Sequence, residues 1–298
     1  TDNPAKFCDK VLKEDGDDDE EEPEETDDCD EEPTLNYLLK SFDGKLKNLE
    51  GVAADGTKIK IILDKNSSKV PSKDCGWTCH WSIVDDNGKI GSLENEYSWD
   101  NVVYTAPVDF PGENSTYPIK VKLEYGNGDT KKEPIYVDIK LTRVPLLLVH
   151  GLGGDDGCWK DLAGDLTSKK YWLLGESKYE KYQVLRVNYK DRNASHFRTN
   201  EDVIGSNIEI ILKKYSSMKI SATKVDIVGH SMGGILARLH VQEVDHGGDR
   251  VHKIITVNTP HSGSEIGDIV TNDSDLQPLV RFKYGSLDAV FDLAVNSE

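Results

Sequence analysis

The stretch VDIVGHSMGGILAR, residues 225–238, decides the fold. Val225 to Val228 form a short β-branched run of the kind that fills a buried strand, and Ile235 to Leu239 open an amphipathic helix. Between them Gly229-His230-Ser231-Met232-Gly233 places a glycine two residues before and two residues after a serine. A serine held between strand and helix in this way must sit on a sharp, strained turn with its hydroxyl projecting from the carboxyl edge of the sheet. Side chains two residues away on either side would collide with that turn, so Gly229 and Gly233 satisfy a steric demand. The helix that begins there aims unpaired N–H groups and its positive dipole end at the space before the serine, which makes the Met232 amide a candidate donor to an oxyanion.

Working outward, residues 146–149 (LLLV) run straight into His150-Gly151-Leu152-Gly153-Gly154. The glycines let the backbone approach a substrate carbonyl closely, and the Leu152 amide is the second candidate donor. His150 is expected to hold this loop by packing and hydrogen bonding, because a general base would have to reach Ser231 Oγ and be held by an acid. Further candidate strands lie at 184–187 and 254–257. Ile204, Ile208, Ile211 and Leu212 share one face of a predicted helix over 203–215, and a second helix, over 233–244, carries Ile235, Leu236 and Leu239. Strands alternating with helices predict an α/β unit with a mostly parallel, doubly covered sheet over residues 144–298.

Three motifs in this order, PLLLVHGLGG (145–154), VDIVGHSMGGILAR and ITVNTPHSGS (255–264), resemble those of α/β-hydrolase lipases and esterases. The groups they are most similar to are the triacylglycerol lipases, the GPI inositol-deacylase-like proteins and the lecithin acyltransferase-like proteins. The resemblance covers residues 145–263. It implies Ser231 as nucleophile and the Leu152 and Met232 amides as the oxyanion hole. Gly151, His150, His230, Gly229 and Gly233 would support the loop and the turn, and His261 would sit beside the site without being the base. Hydrolases of this fold order their triad serine, acid, histidine. Here the last histidine is His261, only 30 residues after Ser231. The expectation is therefore that residues 265–298, with Asp268, Asp275, Asp288 and Asp292, form a cap, that 287–293 (LDAVFDL) is a lid helix, and that the triad acid and histidine lie beyond residue 298. A serine without its base is a poor nucleophile, so the chain as it stands would be nearly inactive. Ile266, Ile269, Val270, Leu276 and Leu279 are expected to pack within the cap, with a face for hydrophobic esters as the alternative.

The N-terminal half has a different texture. Of the formal net charge of −18, residues 1–33 account for −14, with 17 Asp and Glu against 3 Lys. Such a run cannot bury enough apolar surface to fold, and reads as a disordered acidic linker. The absence of a basic surplus excludes a nucleic-acid partner, and no apolar run approaches the length of a membrane span. Residues 34–143 show short alternating stretches at 58–63, 79–84, 118–125 and 135–141, punctuated by Asp86-Asn87-Gly88, Pro111-Gly112 and Gly126-Asn127-Gly128, which predicts an antiparallel β-sandwich. The passage from Trp81 to Tyr104-Thr105-Ala106-Pro107 resembles bacterial and archaeal Ig-like surface domains, and implies cell-surface or polymer contact. Five cysteines allow at most two disulfides. A Cys75–Cys79 bridge would need a turn, and Cys158 reads as a small apolar packer. The cysteine spacing supports neither a metal nor a haem site, and the chemistry needs no cofactor. Taken together, the expectation is a secreted or surface serine ester hydrolase acting on lipid or other hydrophobic esters. Its alternatives are an acyltransferase using the same nucleophile and a non-catalytic binding protein on a hydrolase scaffold.

Overall fold

Apolar residues at every second position put one face of each N-terminal strand into a shared core. The computed structural model describes residues 32–71, 75–84, 89–112, 114, 116–167, 183–245 and 249–295. Most of the acidic run, Cys8, Cys29, the 86–88 turn and His246 lie outside the described residues. The N-terminal strands are β1 (Tyr37–Ser41), β2 (Gly51–Ala53), β3 (Lys58–Leu63), β4 (Trp77–Ile83), β5 (Ser92–Glu94), β6 (Asn101–Thr105), β7 (Thr116–Asn127), β8 (Thr130–Lys131) and β9 (Ile135–Thr142). One antiparallel sheet has the order β1-β3-β6-β5. A second runs β2-β9-β7-β4, with β8 beside β7. Ile59, Ile61, Trp81, Tyr104, Ile119, Leu123 and Leu141 are fully buried in the one cluster between them. The polar ends of the two large aromatics are satisfied, Trp81 Nε1 donating to the Ser98 carbonyl and Tyr104 Oη to that of Ile90.

The sandwich is not wholly antiparallel, since β2 pairs in parallel with β9. Nor does it stop at residue 143. Strand β12 (Ile220–Ser221), which belongs to the α/β part, pairs in parallel with β2, so the two halves share a backbone ladder. Beside it the buried Asp55 carboxylate accepts the Thr57, Thr223 and Lys224 N–H groups at 3.0, 2.9 and 2.9 Å. Cys75 is disulfide-bonded, while Cys79 is free and buried, so these two do not pair.

The α/β half comprises β10 (Leu146–Val149), α1 (Lys160–Thr167), β11 (Val184–Val187), α2 (Asp202–Ser217), β13 (Val225–His230), α3 (Met232–Leu239), β14 (Val251–Val257), α4 (Glu265–Asn272), α5 (Gln277–Tyr284) and α6 (Asp288–Asp292). Its sheet, β11-β10-β13-β14, is parallel throughout. Ile204, Ile208 and Ile211 of α2 meet Leu147, Val149 and Ile227 of the sheet in the second core. The buried face of α3 is Met232, Gly233, Gly234, Leu236 and Ala237, not the expected Ile235 and Leu239, because small residues let the helix lie close on the sheet. Not every strand is buried on both sides, either: β14 is one of the two outer strands, with Ile255 and Val257 exposed. Among the described residues no helix is long and apolar enough to cross a membrane. The cap departs most from its sequence pattern. Val270 is buried, but Ile266, Ile269 and Leu279 are exposed, together with Phe282 at 92%.

Candidate active site

Register brings the two motifs together. Val149, the last residue of β10, pairs with Gly229 of β13, so the 150–154 loop leaves the sheet beside the turn that carries Ser231. Ser231 adopts φ 52° and ψ −124°, a conformation that a non-glycine residue holds only under strain. Its N–H donates to the Val257 carbonyl at 2.9 Å and its carbonyl accepts the Gly234 N–H at 3.0 Å, which pins the turn on both sides. The side chain is half-buried. A Cβ at Gly229 would lie 2.6 Å from Gly234 N, and one at Gly233 would lie 2.5 Å from the Val149 carbonyl oxygen and 2.6 Å from that of His150. Gly234 leaves room for the Thr259 side chain in the same way, so strand, turn, helix and the 259–263 loop interlock.

Gly151 is pressed against the nucleophile candidate. A Cβ there would lie 2.8 Å from Ser231 Cβ and 3.1 Å from the His230 carbonyl oxygen. Among the described residues no protein acceptor takes the Leu152 N–H. Met232 heads α3, so its amide is one of the first-turn donors that a helix leaves unpaired. The arrangement can offer two amide protons beside one strained serine.

His150 is fully buried, stacked on the Tyr189 ring at 4.2 Å between centroids. Its Nδ1 faces the Gly151 carbonyl at 2.9 Å and its Nε2 faces the Tyr189 N–H at 3.3 Å. A carbonyl can only accept and an N–H only donate, so the ring is the neutral Nδ1–H tautomer, and burial lowers its pKa. Tyr189 Oη donates to the His150 carbonyl at 2.6 Å and completes the brace. His230 is exposed and lies edge-on to Trp159. His261 is exposed, held by Arg238 and by Thr256 Oγ1 at 3.2 Å. His196 pairs with Asp292 in the cap, and His252 pairs with Asp226 at the amino end of the sheet. His240 is buried among α2 and α3 with neither ring nitrogen bonded. Among the described residues no histidine makes a hydrogen bond with Ser231 Oγ, and no group of His, Cys, Asp and Glu is arranged to hold a metal. Cys158 is exposed on a 3₁₀ turn after the loop, contrary to its reading as a packer.

A parallel sheet with a strained serine between strand and helix, and a His-Gly loop against it, is the arrangement of the α/β-hydrolase fold. Residues 140–280 match the family model described as a PGAP1-like alpha/beta domain. The chain is 32% identical over 136 residues to a triacylglycerol lipase of Pseudarthrobacter phenanthrenivorans, covering 43% of this chain and 37% of the lipase. It is 27% identical over 151 residues to the GPI inositol-deacylase of Mus musculus, covering 49% of this chain and 16% of that protein. A Bacillus licheniformis lipase in its propeptide form superposes with a TM-score of 0.35 at 22% identity, covering 51% of this chain and 30% of that one. The chain thus spans about a third of the length of the matched lipase, and less of the deacylase.

Proposed function

We propose that this protein is a serine carboxylic ester hydrolase. Ser231 Oγ attacks the ester carbonyl, the oxyanion is held by the Leu152 and Met232 amides, the alcohol leaves, and water releases the acid from the acyl-enzyme. The observation that carries the reading is the backbone of Ser231 at φ 52°, with glycine on three sides of it, since such strain is stored where geometry serves chemistry. The exposed apolar side chains of Ile266, Ile269, Leu279 and Phe282 support a hydrophobic ester as substrate. The disulfide at Cys75 supports a secreted or surface setting, and the sandwich is proposed as the element facing that surface.

Among the described residues no histidine bonds Ser231 Oγ, so we infer that the described histidines do not supply its general base. Slow modification of Ser231 by a fluorophosphonate is therefore expected, accelerated by added imidazole acting as the external base. Mass spectrometry should find the adduct at position 231, and Ser231→Ala should remove it. Equal labelling of Ser231→Ala, or none of either protein with imidazole present, would sink the proposal.

A further inference from the structure

Three successive backbone positions of the 150–154 loop are gripped from two sides. Gly151 lies against Ser231 Cβ. The Leu152 side chain packs both on the sheet core and on a cap cluster of Val270, Leu287 and Val290. Gly153, at φ 69°, lies against the Tyr284 ring so closely that an added Cβ would overlap its carbon atoms. Tyr284 is the last residue of α5, and Gly285 ends that helix in the left-handed conformation, its N–H donating to the Arg281 carbonyl at 2.8 Å. The neighbouring α6 is tied to the body of the domain. Its Ala289 N–H donates to the Ala194 carbonyl at 3.0 Å, and its Asp292 accepts the Phe197 N–H at 2.7 Å. The cap therefore bears on the loop from a fixed base.

We propose that Tyr284 is a positioning residue, its ring seating Gly153 so that the Leu152–Gly153 segment keeps the Leu152 N–H directed at the space before Ser231. This rests on the reading of Ser231 as nucleophile. Glycine enters the left-handed region freely but is not held there by its own sterics. A loop of alternating glycines needs an external wall to keep one conformation, and the ring supplies it at Gly153. A bulky aromatic at the end of a helix closed by Gly285 suits that purpose, and the phenol oxygen plays no part. Cap and oxyanion loop then form one mechanical unit: displacing α5 frees the peptide that the chemistry requires to be still.

The test compares Tyr284→Ala with Tyr284→Phe in the whole chain. Amide hydrogen exchange across residues 151–154 and the imidazole-supported rate of fluorophosphonate labelling are the two measurements. Tyr284→Ala is expected to speed loop exchange about tenfold and slow labelling by about tenfold, a fraction of the roughly 10²- to 10³-fold lost when an oxyanion donor is removed outright. Amides of α3 should be unchanged, and Tyr284→Phe should restore both quantities. If Tyr284→Ala does not fold, Tyr284→Leu is read the same way. Unchanged loop exchange in a folded variant overturns the proposal, as does a Tyr284→Phe protein as impaired as Tyr284→Ala. If the unaltered protein never labels, the nucleophile reading fails, while the exchange comparison still decides whether Tyr284 seats the loop.

Discussion

The two ends of β13 are built on opposite principles. At the carboxyl end Ser231 is strained, glycines replace side chains, and the Leu152 amide has no protein acceptor among the described residues. At the amino end polar groups are saturated. Asp55 takes three backbone N–H groups, Asp226 pairs with His252 at 2.8 Å, and Lys253 of β14 pairs with Asp109 of the sandwich at 2.7 Å. One end holds the molecule together and the other is kept open. The contrast breaks most severely at Gly233, where close approach does not depend on a flexible side chain. Gly233→Ala would drive a methyl into the Val149 and His150 carbonyl oxygens of the neighbouring strand and loop. A loss of roughly 4 kcal/mol or more is expected, at the upper end for a single overpacking substitution, together with all Ser231 reactivity. Urea denaturation checks it, and a loss under about 1 kcal/mol would show that the turn yields more easily than its contacts imply.

The next largest effect belongs to the amino end. Asp55→Ala leaves the Thr57, Thr223 and Lys224 N–H groups without their acceptor in a buried joint, at a cost of roughly 3 kcal/mol. Because β2 and β12 are joined there, the variant should also uncouple the two halves, so that thermal unfolding splits into two transitions. A single, unshifted transition would mean that the shared ladder alone couples them.

This difference between the ends explains what could be read in advance. The turn at Ser231 is a local device, written in five consecutive residues, and the strands at 58–63, 146–149 and 184–187 match their observed bounds because periodicity is also local. Asp55 left no trace of its joining role, since two of its three partners lie 168 and 169 positions away and a lone Asp before Gly-Thr reads as a turn. Strands β2 and β12, of three and two residues, are too short to show any period. The cap misled for a different reason: an apolar pattern in α4 and α5 marks a face, but not what covers it, and only Val270 of the expected α4 residues found cover. Tyr284 was equally illegible, because only the folded loop brings Gly153 under its ring.

The smallest effect sharpens the comparison through pH. Burial lowers the pKa of both His150 and His240, the first in the brace behind the 150–154 loop, the second with both ring nitrogens unpartnered. Near pH 7.5 each is neutral in the folded and unfolded chain, so the titration of neither ring contributes to stability there. As the pH falls through the unfolded value of about 6.5, the unfolded chain binds protons that the native rings resist, and stability drops by up to roughly 1.4 kcal/mol per pH unit for each ring. His196, raised chiefly by its hydrogen bond to Asp292, acts in the opposite sense, but it is exposed and screened. His240→Leu removes one buried ring without breaking any hydrogen bond, so it should leave stability at pH 7.5 almost unchanged and lessen the decline between pH 6.5 and 5.5. His150→Leu should reduce the same slope only after a clear loss at pH 7.5, because the Gly151 carbonyl and Tyr189 N–H lose their partner. Equal behaviour of the two variants at pH 7.5 would mean that the brace contributes nothing to holding the loop, and would weaken the distinction between a histidine that merely fills space and one that shapes the site.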